Sequence, residues 1–450
     1  MSTSALVSRL STEDERMVNL VRSKAFKSWR SKVEAVSGCA KPVRLTGSTC
    51  LQDTTGARFE EFEGQIFVPC NNRREAVCEP CAAKYAADTF HLIRAGLCGG
   101  KEVPEAVSGH VRVFATLTPP SFGAVHSQPR TRTGKARPCS CGEFHSDYDT
   151  RLGTPVDAAA YDYVGAVLWQ AHSTELWRRF TITCARHLAA ALGIAPGQLR
   201  HHLRISYAKV AEYQRRGLVH FHAVIRVDGP DGPTTRPPAG VTADLLCEVV
   251  RSAAAAVAVT SPHSDTVGTR TLVWGEQVDA RPITAHDPDD PDALVRDHQV
   301  AGYIAKYATK GTGATSGVNR RIYEAKAIED LDVSEHHKTM IATSWWLGGL
   351  EEFEALRLRK WAHMLGFRGH FLTKSRHYST TFTAMRTTRA QFRLAEYLAG
   401  LGISDTERVS VVNDWHMTGV GYRSDAERDM ASAIAARTAH RRSTHQGDSS

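Results

Sequence analysis

Two short segments on either side of a glycine-containing turn constrain the fold of this chain more than any other feature of its sequence. Residues 202–212 and 218–227 are rich in β-branched, aromatic and alternating polar side chains, which is typical of β-strands. The turn between them, residues 214–217, ends in glycine, and so short a connection favours an antiparallel hairpin. The sequence therefore predicts two paired strands near the middle of the chain.

The predicted hairpin carries two histidines and a glutamate that suit a metal ion. Side chains two residues apart in a strand point to the same face, so His220 and His222 lie together. With the turn centred near Arg216, Glu212 falls almost directly opposite His220 and is the candidate third ligand. The alternative is that both histidines lie on a half-exposed strand surface and bind no ion.

A later segment, residues 293–310, combines helical periodicity with two phenols. Tyr303 and Tyr307 stand at positions i and i+4, and Lys306 and Lys310 fall on the same side of the predicted helix. Neighbouring ammonium groups favour the phenolate form and a metal ion polarises a phosphate, so a tyrosine here can become a working nucleophile. The alternative is ordinary packing of an amphipathic helix, with lysine side chains that reach past the rings.

These two motifs, in this order, resemble those of the HUH endonucleases. That family combines a His-hydrophobe-His strand, matched here by residues 220–222, with one or two tyrosines on a later helix, matched by Tyr303, Lys306 and Tyr307. The strand of residues 114–118 resembles the first motif of the family, which lies beside the site. The resemblance implies an antiparallel-sheet HUH endonuclease core.

Within the HUH endonucleases, the chain is most similar to actinobacterial plasmid and integrative-element replication initiators of the RepSA type. The similarity extends over roughly residues 38–420, and the two central motifs are its most specific part. The stretches that carry it are residues 211–222 and 302–310, residues 361–370 with 373–376, and residues 70–74 with Cys78 and Cys81.

The resemblance implies an enzyme that nicks and rejoins one DNA strand for rolling-circle plasmid replication. A Mg²⁺ or Mn²⁺ ion held by the two histidines and the glutamate would polarise the scissile phosphate. A tyrosine oxygen would attack it and leave a 5′-phosphotyrosine and a free 3′-hydroxyl. Relatives with a single tyrosine keep the one directly after the lysine, so Tyr307 is the expected initiating nucleophile and Tyr303 the second, beside Lys306.

The implied partners are single-stranded and duplex origin DNA together with the host polymerase and helicase. No GxxxxGK[ST] phosphate loop occurs in the sequence, so unwinding is expected to need the host helicase. The formal net charge of +8 favours a polyanionic partner. Much of the positive charge lies in a C-terminal stretch expected to contact DNA through Arg357, Arg359, Lys360, Arg368, Lys374, Arg376, Arg386, Arg389 and Arg393. The alternative for these residues is an ordinary solvated helical face.

Three cysteines have the spacing of structural zinc ligands. Cys70, Cys78 and Cys81 supply thiolates at a spacing that suits tetrahedral zinc. The spacing leaves the fourth ligand open among Cys39, Cys50, Cys98 and His91, and the family resemblance favours Cys39.

A second group of ligand-type residues lies further along, at Cys139, Cys141 and His145. It sits in a stretch, residues 121–154, that is rich in Ser, Gly, Arg, His and Pro and is predicted to be a long loop. The group binds a second zinc ion, completes the first site, or consists of reduced cysteines without an ion.

Strand–helix–strand alternation in the middle of the chain predicts the α+β class. The first thirty residues are polar and no run of eighteen apolar residues occurs, so we expect a cytoplasmic protein without a membrane span. The predicted domains are an N-terminal helix and zinc module at 1–105, the endonuclease core at 106–330, a basic helical DNA-binding region at 331–425 and a disordered tail at 426–450.

Two other functions are compatible with the sequence. A conjugative relaxase or a transposase of the HUH type would use the same residues, and the site motifs do not separate these from a replication initiator. A zinc-dependent DNA-binding regulator without catalysis would need the cysteines but neither tyrosine. The sequence leaves the oligomeric state open.

Overall fold

The computed structural model of this protein describes residues 12–131, 133–283, 297–309, 318, 320–403 and 409–447. It combines helices with antiparallel sheets, as the sequence predicted. In chain order, the helices are α1 (Thr12–Arg22), α2 (Ala25–Ala35), α3 (Glu79–Cys98), α4 (Tyr163–Ala191), α5 (Ala243–Ala256), α6 (Asp297–Thr309), α7 (Glu335–Leu347), α8 (Leu358–Trp361), α9 (Phe382–Gly400) and α10 (Asp425–Gly447). The strands are β1 (Val43–Gln52), β2 (Arg58–Val68), β3 (Arg112–Leu117), β4 (Arg204–Tyr213), β5 (Val219–Asp228), β6 (Ala258–Thr260), β7 (Thr271–Val273), β8 (Val278–Pro282), β9 (Leu372–Lys374) and β10 (Ser410–Val420). Short 3-10 turns cover Glu105–Gly109, Pro196–His201, Ala325–Ile328, Glu351–Leu356 and Ala362–Met364.

The chain divides into two compact units. One comprises residues 1–88 with 382–450, and the other comprises residues 89–381. This division differs from the predicted boundaries at residues 105, 330 and 425. The physical reason is strand pairing, because β10 near the C-terminus pairs along its whole length with β1 near the N-terminus.

The unit of residues 89–381 is built around a five-stranded antiparallel sheet with the order β8-β3-β5-β4-β9. One face of this sheet packs on α4, where the ring of Trp177 meets those of Phe221 and Tyr207 edge-on. Helix α6 lies against β4. The two strands of the predicted hairpin therefore occupy the interior of the sheet.

The hairpin forms as the sequence predicted. Strands β4 and β5 pair antiparallel in a register that sets Glu212 opposite His220. Gly217 closes the turn with a φ of +75°, where a Cβ atom would approach Leu365 to 2.9 Å. A glycine is favoured there because other residues adopt this left-handed backbone angle only with strain, and a side chain would also have to displace the end of Leu365.

The unit formed by the two chain ends contains a three-stranded sheet with the order β10-β1-β2. Helix α10 extends from Asp425 to Gly447, within the stretch of residues 426–450 for which a disordered tail was predicted. Its apolar side carries Ala431 and Ile434, which pack against Val33 of α2. Burial of these side chains gives the polar tail a reason to order. Within the described residues, no helix is long and apolar enough to cross a membrane.

Candidate metal and nucleophile site

Three ligand atoms converge on the exposed side of the hairpin. Glu212 Oε2 lies 3.0 Å from Nε2 of His220 and 3.0 Å from Nε2 of His222, and the two ring nitrogens are 3.1 Å apart. The three residues that the sequence predicted as metal ligands therefore bring their ligand atoms together in one compact triangle. The side chain of His222 is 4% exposed, whereas those of His220 and Glu212 are 16% and 17% exposed, so the triangle opens to solvent on one side.

The three ligand atoms are close enough to hold one divalent ion. Neighbouring ligand atoms lie about 3.0 Å apart around an octahedral ion with bonds of about 2.1 Å, and about 3.4 Å apart around a tetrahedral zinc ion with nitrogen ligands. The observed edges of 3.0–3.1 Å lie within a few tenths of an ångström of both values. One carboxylate and two imidazoles are therefore a possible metal-binding group, and three protein ligands would leave further positions on the ion open.

The protonation states also suit a cation. Burial raises the pKa of the Glu212 carboxyl, but hydrogen bonds with His220 and His222 outweigh this effect and bring the pKa down to about 2. Burial lowers the pKa of His222 below its ordinary value, which favours the neutral imidazole that metals bind. The charge of Glu212 and the neutral ring of His222 are therefore both compatible with a bound cation.

Strand β3 orients the deepest ligand. The hydroxyl of Thr116 lies 3.0 Å from Nδ1 of His222, on the nitrogen away from the triangle, and the ring of Phe114 stacks on His222 at 5.8 Å. Such a contact fixes both the tautomer and the ring plane of a ligating histidine. The sequence singled out this strand for its position beside the site, but gave no role to Thr116.

Helix α6 brings one of the two predicted tyrosines to the triangle. The hydroxyl oxygen of Tyr303 lies 3.1 Å from Nε2 of His222, and its ring meets Phe114 edge-on at 5.7 Å. Val300 and Ile304 are buried and dock the helix, as its periodicity predicted. Lys306 lies on the exposed side of α6. Tyr307 belongs to the same helix, but its side chain lies outside the described residues, as does Lys310.

A cleft of about 480 Å³ opens beside the triangle. Glu212 and His220 form part of its wall, together with the start of the hairpin turn. The cleft is also lined by residues 147–150, by Leu152 and Thr154, and by Ser334 and His337 near the start of α7. Sequence reasoning did not connect these segments with the site, because no local pattern links them to the hairpin.

The four cysteines assigned to zinc form one cluster. Sγ of Cys70 lies 3.7 Å from Sγ of Cys81, and Sγ of Cys78 lies 3.8 Å from Sγ of Cys39. Zinc–sulfur bonds of about 2.3 Å in a tetrahedron put neighbouring sulfurs about 3.8 Å apart. The backbone amides of Cys70 and Ala40 donate to Cys39 and Cys78, as amides do to thiolates. This four-cysteine cluster is therefore compatible with structural zinc, with Cys39 as the fourth member.

The second cysteine group contains a ligand that the sequence analysis missed. Cys139, Cys141 and His145 come together as a possible set, and His126 joins them, with all four ligand atoms within 4.8 Å of one another. His126 precedes Cys139 by thirteen positions and has no motif spacing to it. The only available signal was its place in the same Ser/Gly/Pro-rich stretch.

Several basic side chains predicted to bind DNA are engaged within the protein. Arg389 pairs with the buried Asp88 at 2.5 Å, and Arg386 approaches the same carboxylate at 3.9 Å. Arg368 donates to the carbonyl of Ala355. These three side chains stabilise local structure. Any contact that they make with DNA would be additional to that role.

Comparison with known proteins gives a family. A family model described as RepSA, replication initiator protein, pSAM2, matches residues 25–436. The chain is 43% identical over 423 residues to a protein of Streptomyces ambofaciens named replication initiator protein, and the alignment covers 91% of this chain and 90% of that protein. No solved structure matches the chain. Because both matches extend over most of its length, the chain belongs to the RepSA family of replication initiator proteins.

Proposed function

We propose that this protein initiates plasmid replication by nicking and rejoining one strand at the origin through a tyrosine nucleophile. The observation that carries the proposal is the 3.1 Å separation between the Tyr303 hydroxyl and His222 Nε2, at the open side of a carboxylate–imidazole triangle. The family membership supports the initiator role, and the triangle supports the chemistry. We also infer that the five-stranded sheet is an HUH endonuclease core, because its interior strands carry both histidines.

The residues of the triangle would hold a Mg²⁺ or Mn²⁺ ion. When bound, the ion supplies positive charge that polarises the scissile phosphate. Glu212 stays ionised, and its oxygen lies close enough to both imidazoles to share an ion with them. Thr116 holds the His222 ring so that Nε2 faces the triangle. The cleft beside these residues suits a single strand, because unpaired bases can contact its walls whereas the bases of a duplex stay stacked and paired.

In the nicking step, a tyrosine oxygen forms a bond to phosphorus and the bond from phosphorus to the 3′ oxygen breaks. The phenol loses its proton to solvent, the departing 3′ oxygen gains one, and the 5′ phosphate stays on the tyrosine. One phosphodiester replaces another, so rejoining needs no nucleotide cofactor. Tyr303 is positioned for attack, and Tyr307, one helical turn further on, stays our candidate for initiation. Lys306 on the exposed side of the helix favours the phenolate.

The free 3′-hydroxyl would then serve the host polymerase, and a host helicase would unwind the duplex. The duplex part of the origin is proposed to contact basic side chains of the region 331–425, of which Lys360 and Arg376 are examples. Each phosphate contact adds about one unit to the slope of log affinity against log salt.

The test is a covalent trapping experiment with the full-length protein, single-stranded origin DNA and Mn²⁺, analysed by denaturing electrophoresis. We expect an adduct with the wild-type chain and with either Tyr303→Phe or Tyr307→Phe, and none with the double variant. Tyr323→Phe is the matched control, because this tyrosine is 80% exposed and lies outside the site. An adduct of full yield in the double variant would overturn the proposal, and so would no adduct under any divalent ion.

A further inference from the structure

The segment between β3 and α4, residues 118–162, contains no helix or strand among its described residues. It exposes large side chains, with Phe144 67% and Tyr148 93% exposed. A loop of this length with so little apolar burial needs another source of order. Backbone pairing closes its base, where His126 exchanges hydrogen bonds with Gly153 and Thr154.

This segment gathers the four ligand-type residues, one of them, His126, at its base. Nε2 of His145 lies 3.2 Å from Nδ1 of His126 and 3.3 Å from Sγ of Cys141. In a tetrahedral zinc site, neighbouring nitrogens lie about 3.4 Å apart and a nitrogen and a sulfur about 3.6 Å apart. The observed spacings agree within a few tenths of an ångström. Four protein ligands, two of them thiols and two imidazoles, make up the closed set that is typical of structural zinc.

A carboxylate supports one of the four candidate ligands. Nδ1 of His145 lies 2.7 Å from Asp149 Oδ2, which leaves Nε2 to face the other three ligands. Arg151 pairs with the same carboxylate at 2.9 Å. A carboxylate behind a histidine is the usual way to fix the ring of a zinc ligand. The amide of Ser127 donates to the sulfur of Cys139, as expected for a thiolate.

The segment is fastened to the hairpin turn beside the candidate catalytic residues. A Cβ atom on Gly153, whose φ is +88°, would lie 2.5 Å from the backbone of Arg215. Arg216 donates to the carbonyls of Pro119 and Pro120 at 2.9 and 3.0 Å. A fixed position of this segment would therefore also fix the hairpin turn, which begins two residues after Glu212.

The same segment forms one wall of the cleft. Asp147, Tyr148 and Asp149 line it together with Glu212 and His220. The exposed phenol of Tyr148 offers a flat face on which a base can stack. This part of the wall therefore suits an unpaired base.

We propose that His126, Cys139, Cys141 and His145 bind a second structural zinc ion, which holds residues 118–162 as a cleft wall where Tyr148 stacks on an unpaired DNA base. The zinc part stands on the four ligands alone. The base-stacking part rests on the proposed function, because it takes single-stranded DNA as the ligand.

Zinc content of the full-length protein tests the first part. We expect two zinc ions per chain in the wild type, one in Cys141→Ser and one in His126→Ala. Cys247→Ala is the matched control, because this cysteine lies outside both clusters and the variant should keep both ions. One ion per wild-type chain, unchanged by Cys141→Ser, would overturn the proposal.

A second measurement covers the case in which these variants do not fold. Cobalt exchanged into the wild-type protein should show thiolate-to-metal charge transfer from six cysteines, in the proportion of a four-sulfur and a two-sulfur site. Charge transfer from only four would contradict the second site. In folded Cys141→Ser protein, proteolysis within 118–162 should accelerate at least tenfold, and an unchanged rate would show that zinc does not hold the wall.

Affinity for a short single strand, measured by fluorescence anisotropy without divalent ions, tests the stacking part. Tyr148→Ala should weaken binding by about 5- to 150-fold and Tyr148→Phe by less than about twofold, because stacking needs the ring and not the hydroxyl. Tyr323→Ala, which changes an exposed tyrosine elsewhere, should have no effect. Unchanged affinity in Tyr148→Ala would refute the stacking role. Loss of nicking with both zinc ions and strand binding intact would instead refute the proposed function.

Discussion

Two clusters of candidate metal ligands in this protein differ in the elements that carry them and in the spacing of their ligand atoms. The triangle of Glu212, His220 and His222 stands on neighbouring strands in the interior of a sheet, and its ligand atoms are 3.0–3.1 Å apart. The four-cysteine cluster stands on turns and the first turn of a helix, with two pairs of sulfurs 3.7 and 3.8 Å apart. Three protein ligands would leave positions open on an ion, whereas four thiolates would complete a tetrahedron.

The two clusters differ in what fixes the positions of their ligands. The register of strands β4 and β5 and their buried apolar face already fix the ligands of the triangle. The cysteine ligands form a small cluster of their own, with Val36 and Phe67 nearby. A metal at the triangle would therefore add reactivity to a formed fold, whereas zinc at the cysteines would contribute folding free energy.

The largest effect is expected from breaking the four-cysteine cluster. Structural zinc contributes on the order of 10 kcal/mol or more to small metal modules, so Cys78→Ser should lose zinc and several kcal/mol of local stability. Amide hydrogen exchange should accelerate across residues 39–81, while the hairpin of residues 204–228 keeps its protection. Cys247→Ala serves as the control, since it removes a thiol from α5 without touching a ligand. Full protection of residues 39–81 in Cys78→Ser would contradict the comparison.

A smaller effect, on rate alone, is expected at the triangle. Glu212→Gln keeps the shape of the side chain but removes the negative charge that the hydrogen bonds from both histidines stabilise. We expect adduct formation to slow by about 100-fold or more, which corresponds to about 3 kcal/mol. The midpoint of thermal unfolding should change little, because the hairpin forms without the ion.

A Glu212→Gln variant that unfolds or loses zinc would contradict this distinction between the triangle and the four-cysteine cluster. A rate equal to that of the wild type would show instead that the carboxylate is not a ligand. Because Glu212 is more stable when ionised, its interaction with the histidines is lost only as pH falls from the ordinary range of a glutamate towards about 2. Adduct formation above pH 5 should therefore show no titration of this group.

The geometry of the triangle could be predicted because it depends on local rules. A four-residue turn fixes the register of a hairpin, and the two-residue period of a strand fixes the face of each side chain. Those two rules suffice to bring Glu212 opposite His220. The approach of Tyr303 to His222 did not follow from local rules, because it depends on how α6 docks on the sheet; the family resemblance supplied that pairing.

Pairing between distant segments accounts for the parts of the fold that local sequence patterns did not predict. Strand β10 lies in a region predicted to be mostly helical, and it pairs with β1 across more than 350 residues of sequence. Helix α10 likewise packs Ala431 and Ile434 against Val33 near the other end of the chain. No short window of sequence contains both members of such pairs. His126 was missed for another reason: it lies thirteen positions before Cys139, but at no recognised motif spacing.

The smallest expected effect concerns the buried face of the hairpin. Lys209 on β4 is fully buried between Phe221, at 3.8 Å from the ring centre, and Trp177, and burial lowers its pKa to about 7. The unfolded chain keeps the ordinary value of about 10.5, so it binds more protons than the folded chain between these two values. Stability should therefore rise with pH through this window, by at most about 1.4 kcal/mol per pH unit.

Lys209→Met should remove this dependence, because methionine fills a similar volume without a charge. At pH 7 we expect the variant to be about 1–2 kcal/mol more stable than the wild type in urea unfolding, with the difference shrinking towards pH 10. The sign follows from the lowered pKa of Lys209. Protonation of this lysine is harder in the folded chain than in the unfolded chain, so it lowers the stability of the fold at every pH at which the unfolded lysine is protonated. Lys338→Met on α7, where the lysine is partly exposed and paired with Glu335, is the control: it keeps Lys209, so its stability should still rise with pH as in the wild type. A variant that is less stable at pH 7 would mean that the contacts of Lys209 with the two rings outweigh the cost of burying its charge. In that case polar contacts would stabilise the hairpin on both of its faces. The strand register alone would then support the inference that the hairpin folds without the metal.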